Sequence, residues 1–497
     1  MLPDIDRLGP ELVLLASGGL IILADLALRE GMPAARRGVL LAFGSLAGIV
    51  ASIAWAVSLI LRDREGTAFD GSLVVDNFSL FFGFLFLGIA ILVILASIDY
   101  GQRFRRHQGE YYGLILLATG GMMLLAGGRD LIAIFVALEL TSISQYVLAS
   151  LLKDSRSTEA GLKYLLLGAV STAVLLYGMA FLFGLSGTTK LIAPEGQHSI
   201  AAAVAEGEAG LRGALVLSMV FLAAGVAFKT AVVPFQMWVP DVYEGSPTPV
   251  AAFLSVASKA AGFAIVLRIF YDGLSDPFIS SDWSNLFAAV AAISMTVGNV
   301  AALLQTNIKR LLGYSSIAQA GNIMVGIAAI SAADGNFALG AGGVVFFLST
   351  YAFTNLGAFI AVIAISSKLD SDVIADYAGV GRRAPLLALA LAFCLISLTG
   401  IPPTAGFVAK VYIFNTAVQS DLVWLVLVAV LNSVVAAYYY LRVVGQMYLV
   451  PPAQEARLPV SWSLSASLGV AALGVLVIGI IPTPLISAAE RAVNVFA

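Results

Sequence analysis

Four charged residues interrupt long apolar runs in this sequence. Glu139 lies halfway along LIAIFVALELTSISQYVLAS (131–150), and Lys229, Lys259 and Lys410 each fall deep within stretches that are otherwise hydrophobic. At the centre of a membrane helix an ionised group costs about 2.5–3.5 kcal/mol on insertion scales, so four cost on the order of 10–14 kcal/mol. That is tolerable only where the groups pair, face water or face one another. Burial disfavours the charged form of a lysine and a nearby carboxylate favours it. A lysine between those influences can hold and release a proton, and a run of them is a proton relay. The competing reading is an ion pair that locks helices in register, which three lysines for one mid-span carboxylate fit poorly.

The residues around the four point the same way. Ser142 and Tyr146 follow Glu139 by three and seven positions, on one helical face, and extend a polar stripe. In VAFKTAVVPFQMWVPDVYEGSPTP (226–249) four prolines come after Lys229. Pro234 cannot donate to the carbonyl of Thr230, and Pro240 leaves that of Gln236 free. In SLTGIPPTAGFVAK (397–410) Pro402 and Pro403 free the carbonyls of Leu398 and Thr399, and Lys410 lies on the face of Pro403. A lone proline in a membrane helix is commonly a kink. A proline break beside a buried lysine, twice, is more specific.

These sites must be positioned by membrane helices. Of the 497 residues 60% are hydrophobic and only 11% charged, against about 25% charged in a soluble domain. The chain is expected to be an all-α integral membrane protein with no separate soluble domain. The single cysteine, Cys394, cannot supply a disulfide framework or a metal ligand set, and His107 and His198 are far apart. Bound metal or haem is not expected, and the net charge of −3 does not suggest nucleic-acid binding. The acidic N-terminus lacks the basic region of a signal peptide, so the first span is expected to stay. GLSGTTK (184–190) lacks the residue order of a phosphate loop, and GVGRRA (379–384) lacks the last glycine of a dinucleotide turn; both read as loops.

Apolar runs of about 20 residues place spans near 11–29, 38–61, 77–98, 111–126, 130–152, 159–186, 211–243, 249–271, 284–307, 311–331, 337–366, 384–418, 421–448 and 462–489. That is about fourteen transmembrane helices. The discontinuous ones are the seventh (211–243) and the twelfth (384–418). Five apart, they cross in opposite directions, as in inverted repeats whose broken helices form ion sites near the midplane. The expected organisation is a three-helix region (1–110), two five-helix repeats (111–271 and 284–449) and a C-terminal helix (450–497). Of the 27 Lys and Arg, five lie within spans, fifteen on one side and seven on the other. The side rich in them, with Arg105 and Arg382, is expected to face the cytoplasm, which puts both termini outside. Among the five in spans, Arg268 is expected to snorkel to the outer interface. Lys163, one turn inside its helix, reads either as snorkelling or as part of the pathway.

The chain resembles the antiporter-like membrane subunits of respiratory complex I, subunit N above all. The resemblance covers nearly the whole chain. It is carried by FKTAVVPFQMWVPDVYEGSPTPV (228–250), NIKRLLGYSSIAQAG (307–321), IPPTAGFVAK (401–410) and VDNFSLFF (75–82). It implies that Glu139 is the carboxylate of the fifth helix, Lys229 its partner, Lys259 the connecting lysine and Lys410 the terminal one. It also implies a proton-translocating, non-redox subunit of a translocase in a bacterial plasma membrane. No cofactor is expected in this chain; flavin, iron–sulfur clusters and quinone would sit in partner subunits, with subunits M, K and J among its membrane neighbours. Many relatives carry histidine where this chain has Gln236, which cannot titrate. A subunit of a multi-subunit sodium/proton antiporter shares the architecture, but the PDVYEGSPTP run argues against it. A scaffold whose buried charges only set register is the third reading.

The charge bias makes one checkable prediction. A single cysteine introduced by Ser371→Cys should resist an impermeant thiol reagent added to intact spheroplasts and label in inverted vesicles.

Overall fold

Without water to satisfy backbone groups, a chain this apolar can cross lipid only as helices or a closed barrel, and it forms helices. The computed structural model describes residues 2–496 except Glu30, Arg105, 194–197, 208–211, 330–337 and 453–455. Arg105, counted above for the cytoplasmic side, therefore lies outside the described residues.

The first six spans are α1 (Gly9–Leu28), α2 (Ala34–Leu61), α3 (Asn77–Ser97), α4 (Gln108–Gly127), α5 (Leu131–Ala149) and α6 (Ser155–Ser186). Then α7 (Arg212–Thr230) stops, and α8 (Trp238–Gly245) resumes after a break. Next come α9 (Thr248–Gly273), α10 (Pro277–Leu303), α11 (Ile308–Ala328) and α12 (Ala338–Leu369). A second interrupted pair, α13 (Pro385–Thr399) and α14 (Ala405–Gln419), precedes α15 (Val423–Leu449), α16 (Trp462–Ile480) and α17 (Thr483–Val493). Side-chain caps start many of them: Asp76 caps α3, Asp130 α5, Asp154 α6, Asn307 α11 and Ser461 α16. Twelve helices among the described residues are long and apolar enough to cross a bilayer. With α11 and the α13–α14 pair, about fourteen crossings result.

Both breaks have a structural cause in the backbone. After α7 the chain turns at Ala231, with φ of +62°. After α13 it turns at Gly400, with φ of +88°, a region that favours glycine. Three sequence expectations need correction. Pro240 lies in the first turn of α8, where no helical donor is lost, and the Gln236 carbonyl accepts from the Val239 N–H at 3.0 Å. That carbonyl is not free. The expected last helix, 462–489, is two, because the chain bends at Ile481–Pro482 between α16 and α17. Between α2 and α3 an unforeseen antiparallel hairpin pairs Gly66–Ala68 with Leu73–Val75.

Arg7 bonds to the backbone of this hairpin region, and Phe496 packs on Phe78. Both chain ends thus share one face, here the terminal face. In the centre, α9 is wholly buried and α12 nearly so, while α1, α6 and α15 turn Leu20, Leu23, Leu166 and Leu431 outward as a lipid-facing shell. The fit around α9 is close: a Cβ on Gly262 would come within 3.0 Å of the Lys229 backbone.

The third correction concerns Arg268, which does not snorkel. It is 0% exposed and bonds to Asp76 (2.8 and 2.9 Å), Asp272 (3.2 Å) and the Ala126 carbonyl (2.9 Å). Phe78 stacks against its guanidinium at 4.5 Å. Arg129 adds contacts to Asp76 (3.4 Å) and Asp272 (3.6 Å), so two carboxylates balance two guanidinium groups. Burial alone would raise the Asp76 carboxyl, but the Arg268 charge and hydrogen bonds outweigh it and hold it below its ordinary value. Its contribution to stability is therefore present at neutral pH and lost as pH falls through the acidic carboxylate range. Arg268→Met should cost about 3–5 kcal/mol, the usual result of stranding a buried ion-pair partner, and should remove part of that acid sensitivity. Thermal unfolding in detergent across pH tests both.

Candidate functional site

Of the four charged residues of the sequence reading, the three lysines lie at the ends of the broken helices and on the buried α9. Lys229 occupies the last turn of α7, where a cation suits the negative end of a helix. Its Nζ donates to Gln145 Oε1 at 2.9 Å and Ser142 Oγ at 3.2 Å on α5. The same Gln145 oxygen accepts from Ser258 (3.0 Å) and Tyr164 (3.1 Å). Gln145 thus joins α5, α6, α7 and α9 at one atom.

Ser258 immediately precedes Lys259, and α9 widens to a π-helical turn at Leu254–Ser258 just before that lysine. Such turns inside α-helices frequently mark functional sites. Lys259 Nζ donates to Ser316 on α11, to its carbonyl and to its Oγ (2.6 Å). Tyr351 on α12 donates to the same Oγ at 3.1 Å and presents its ring 5.8 Å from the ammonium. Asn355, one turn further along α12, donates to Ser255 at 2.7 Å.

At the second break Lys410 reaches back to the end of α13. Its Nζ donates to the Thr399 carbonyl at 2.9 Å and to Ser433 on α15 at 3.0 Å. The other carbonyl exposed by the proline pair, that of Leu398, accepts from Gln319 on α11 at 2.9 Å. Gly400 leaves room for this arrangement, since a Cβ there would lie 2.9 Å from Lys410 Cδ. Gln319, Tyr351, Thr354, Ser397 and Lys410 line a cavity of about 10 Å³, and Ser142, Tyr146, Ser171 and Lys229 line another of about 10 Å³. That is close to the smallest space that holds one water.

Glu139 and Lys163 stand apart. Glu139 is half-buried beside a strip of Ile132, Val136, Ile143 and Val147 that faces outward, and one carboxylate oxygen is buried without a hydrogen-bond partner. It makes no ion pair among the described residues. Lys163 is 42% exposed at the face opposite the termini, paired with Glu159 and Asp241 at 2.8 Å each. Arg310 adds bonds to Asp241 (2.6 Å) and Glu244 (2.9 Å), and Lys309 donates to the Ser246 carbonyl (2.9 Å). The PDVYEGSPTP segment is thereby bound to α6 and α11 around a recess of about 230 Å³. Gln236 lies in the first break with its side-chain oxygen buried and without a hydrogen-bond partner.

Gln145, Ser316, Gln319, Tyr351 and Ser433 were not singled out from the sequence. A signal existed: Ser142 and Gln145 are three apart, and Ser316, Gln319 and Asn322 repeat every three on α11. Uncharged polar residues at that spacing in an apolar helix share a face.

Residues 128–436 match the family model described as NADH:quinone oxidoreductase/Mrp antiporter, TM. The chain belongs to this family. It is 43% identical to the NADH-quinone oxidoreductase subunit N of Dehalococcoides mccartyi, over 98% of this chain and 99% of that protein. Among solved structures it matches a chain of respiratory complex I from Thermus thermophilus with bound aureothin at 32% identity and a TM-score of 0.76, covering 95% and 98% of the two chains. A chain of the Mrp complex from Dietzia sp. aligns with a TM-score of 0.83 over 99% and 97%, but at 20% identity. The family's two branches thus share this fold, and sequence identity separates them.

The Gln145 junction can be tested on its own. Gln145→Leu leaves Lys229, Tyr164 and Ser258 without their common acceptor and should cost about 1–3 kcal/mol. Gln145→Glu, which keeps an acceptor beside Lys229, should recover most of it. Thermal unfolding of the purified membrane assembly distinguishes the two.

Proposed function

We propose that this chain is the proton-translocating, non-redox membrane subunit of a proton-pumping NADH:quinone oxidoreductase, and that protons move along Glu139, Lys229, Lys259 and Lys410. The observation that carries this reading is a succession of buried polar clusters: Lys229 and Ser258 on Gln145, Lys259, the residue after Ser258, on Ser316, and Gln319 and Lys410 on the adjacent carbonyls of Leu398 and Thr399. In this mechanism each lysine gives up a proton to its neighbour through hydroxyl groups or a single water, and Gln145, Ser142, Ser316 and the Thr399 carbonyl at the second break are the acceptors that hold it when charged. Gln145 cannot titrate, and its role is to align donors. Lys163, beside Asp241 in the recess on the face opposite the termini, serves as an entry point. Pro234, Pro402 and Pro403 keep the half-helices apart, and Pro240 starts the second half of the first pair.

Electrons pass elsewhere: flavin, iron–sulfur clusters and quinone belong to partner subunits, and this chain couples to quinone reduction through its contacts with them. A half-buried carboxylate on an outward apolar strip at Glu139 supports cover by another membrane subunit, with subunits M, K and J as the neighbours we assign. We place the chain in a bacterial plasma membrane with both termini periplasmic, a choice supported by the basic-residue bias. Residues 111–271 and 284–449 are read as two inverted five-helix repeats, since the chain enters α7 from the terminal face and α13 from the opposite one. The second reading is a subunit of a multi-subunit sodium/proton antiporter, since the family model that matches the chain takes in the Mrp antiporter, and sodium-dependent proton movement by the purified assembly would select it.

Deprotonation of the central lysine is the decisive requirement. Arginine keeps the charge but does not deprotonate in proteins. Lys259→Arg should therefore leave the assembly intact on a native gel yet abolish most proton uptake into sealed vesicles per electron pair. Full pumping by an intact Lys259→Arg assembly would exclude obligatory deprotonation there.

A further inference from the structure

On the face opposite the termini, Arg382, Arg383 and Arg457 converge at the mouth of a groove of about 870 Å³ between the first turns of α13 and α16. None of the three makes an ion pair among the described residues. The arm carrying Arg457 is strapped to Arg383 twice: the Leu458 N–H donates to the Arg383 carbonyl (3.2 Å), and Arg383 Nε donates to the Ala456 carbonyl (2.9 Å). That bond uses Nε and leaves the terminal nitrogens of the guanidinium for a ligand.

Beyond the arginines the groove is apolar. Leu387, Ala390, Leu468 and Ala472 line it, and it opens past Leu386, which is 81% exposed, onto the lipid-facing side of α13. Trp462, the first residue of α16 and 66% exposed, stands where aromatic residues anchor a helix at the membrane–water boundary. Three guanidinium groups at that height with no ion-pair partner among the described residues, above an apolar channel running into the bilayer, match a ligand with a phosphate at one end and hydrocarbon at the other. Arginine suits the phosphate because its planar fork binds two oxygens at once. A free phosphate uses only the mouth of the groove and leaves its apolar length unexplained. A neighbouring subunit would leave the three cations without a counter-charge unless it brought acidic residues.

We propose that this groove is a binding site for one anionic phospholipid, its phosphate held by Arg382, Arg383 and Arg457 and its acyl chain laid between α13 and α16. The site is about 870 Å³, within the roughly 300–1,000 Å³ of small-molecule pockets. It stands whether or not the chain moves protons.

The test uses the purified, delipidated membrane assembly that contains the chain, with a photo-crosslinking benzoylphenylalanine in place of Leu386. It is mixed with vesicles of phosphatidylcholine alone or with added phosphatidylglycerol, illuminated, and the adduct identified by mass. Phosphatidylglycerol should be captured in preference to phosphatidylcholine on the order of tenfold, and the preference should vanish in Arg382→Gln/Arg383→Gln/Arg457→Gln. Gly469→Trp blocks the groove with the arginines intact, since no atom lies within 4 Å of a Cβ built there, and it should abolish capture even if the triple variant fails to assemble. Equal capture of both lipids, undiminished capture in Gly469→Trp, a protein adduct in place of a lipid, or full displacement by inorganic phosphate would each overturn the proposal.

Discussion

A helix that stops inside a membrane must find partners for its end carbonyls without water, and the rest of this structure is arranged around that need. The ends of α7 and α13 lie in the interior, each close to a lysine. At α13 the partners are explicit: Thr399 and Leu398 accept from Lys410 and Gln319. At α7 the Phe228 carbonyl takes the indole N–H of Trp238 at 3.0 Å, which ties the two half-helices together across the gap. The breaks and the buried cations therefore explain one another. Each lysine is tolerated because helix ends and polar side chains solvate it, and each break is tolerated in part because side chains satisfy it.

The second consequence is the burial of α9. A helix wholly enclosed by protein can carry Lys259 and Arg268 on one chain segment, because each finds its partners on neighbouring helices rather than at the membrane surface. The two solutions differ in chemistry. Arg268 is held between Asp76 and Asp272, a neutralised and permanent arrangement that joins the terminal face. Among the described residues Lys259 hydrogen-bonds to hydroxyl and carbonyl oxygens alone, with no carboxylate. A cation bound by neutral acceptors can lose its proton without stranding a buried anion. Burial is the same in both places; the presence or absence of a carboxylate separates the fixed ion pair from the cation proposed to shed its proton.

The face opposite the termini shows the same division. Its ion pairs around Asp241, Glu244, Arg310 and Lys163 fasten the segment that follows the first break. The PDVYEGSPTP run thus has a mechanical role, since these pairs hold α8 against α6 and α11. The three arginines at α13 and α16 have no such partners among the described residues, and they stand out for that reason.

Much of this was legible in the residues alone. Apolar run length determines spans, because lipid permits nothing else, and the positions of the spans agree with the helices to within a few residues over most of the chain. Proline removes a donor wherever it stands, so the breaks after Lys229 and before Lys410 could be read directly. What the chain order could not supply was partnership. Arg268 looked able to reach water because its distance from a helix end was visible and its neighbours were not; Asp76, 192 residues away, decides its place. Pro240 looked like a second break because its position in the first turn of α8 depends on where the first break ends. Gln145 is one uncharged residue in sequence, and it becomes the junction of four helices only when α6, α7 and α9 are packed around it. Local chemistry belongs to the sequence; which buried cations meet carboxylates and which rest on neutral oxygens is decided by contacts between distant segments.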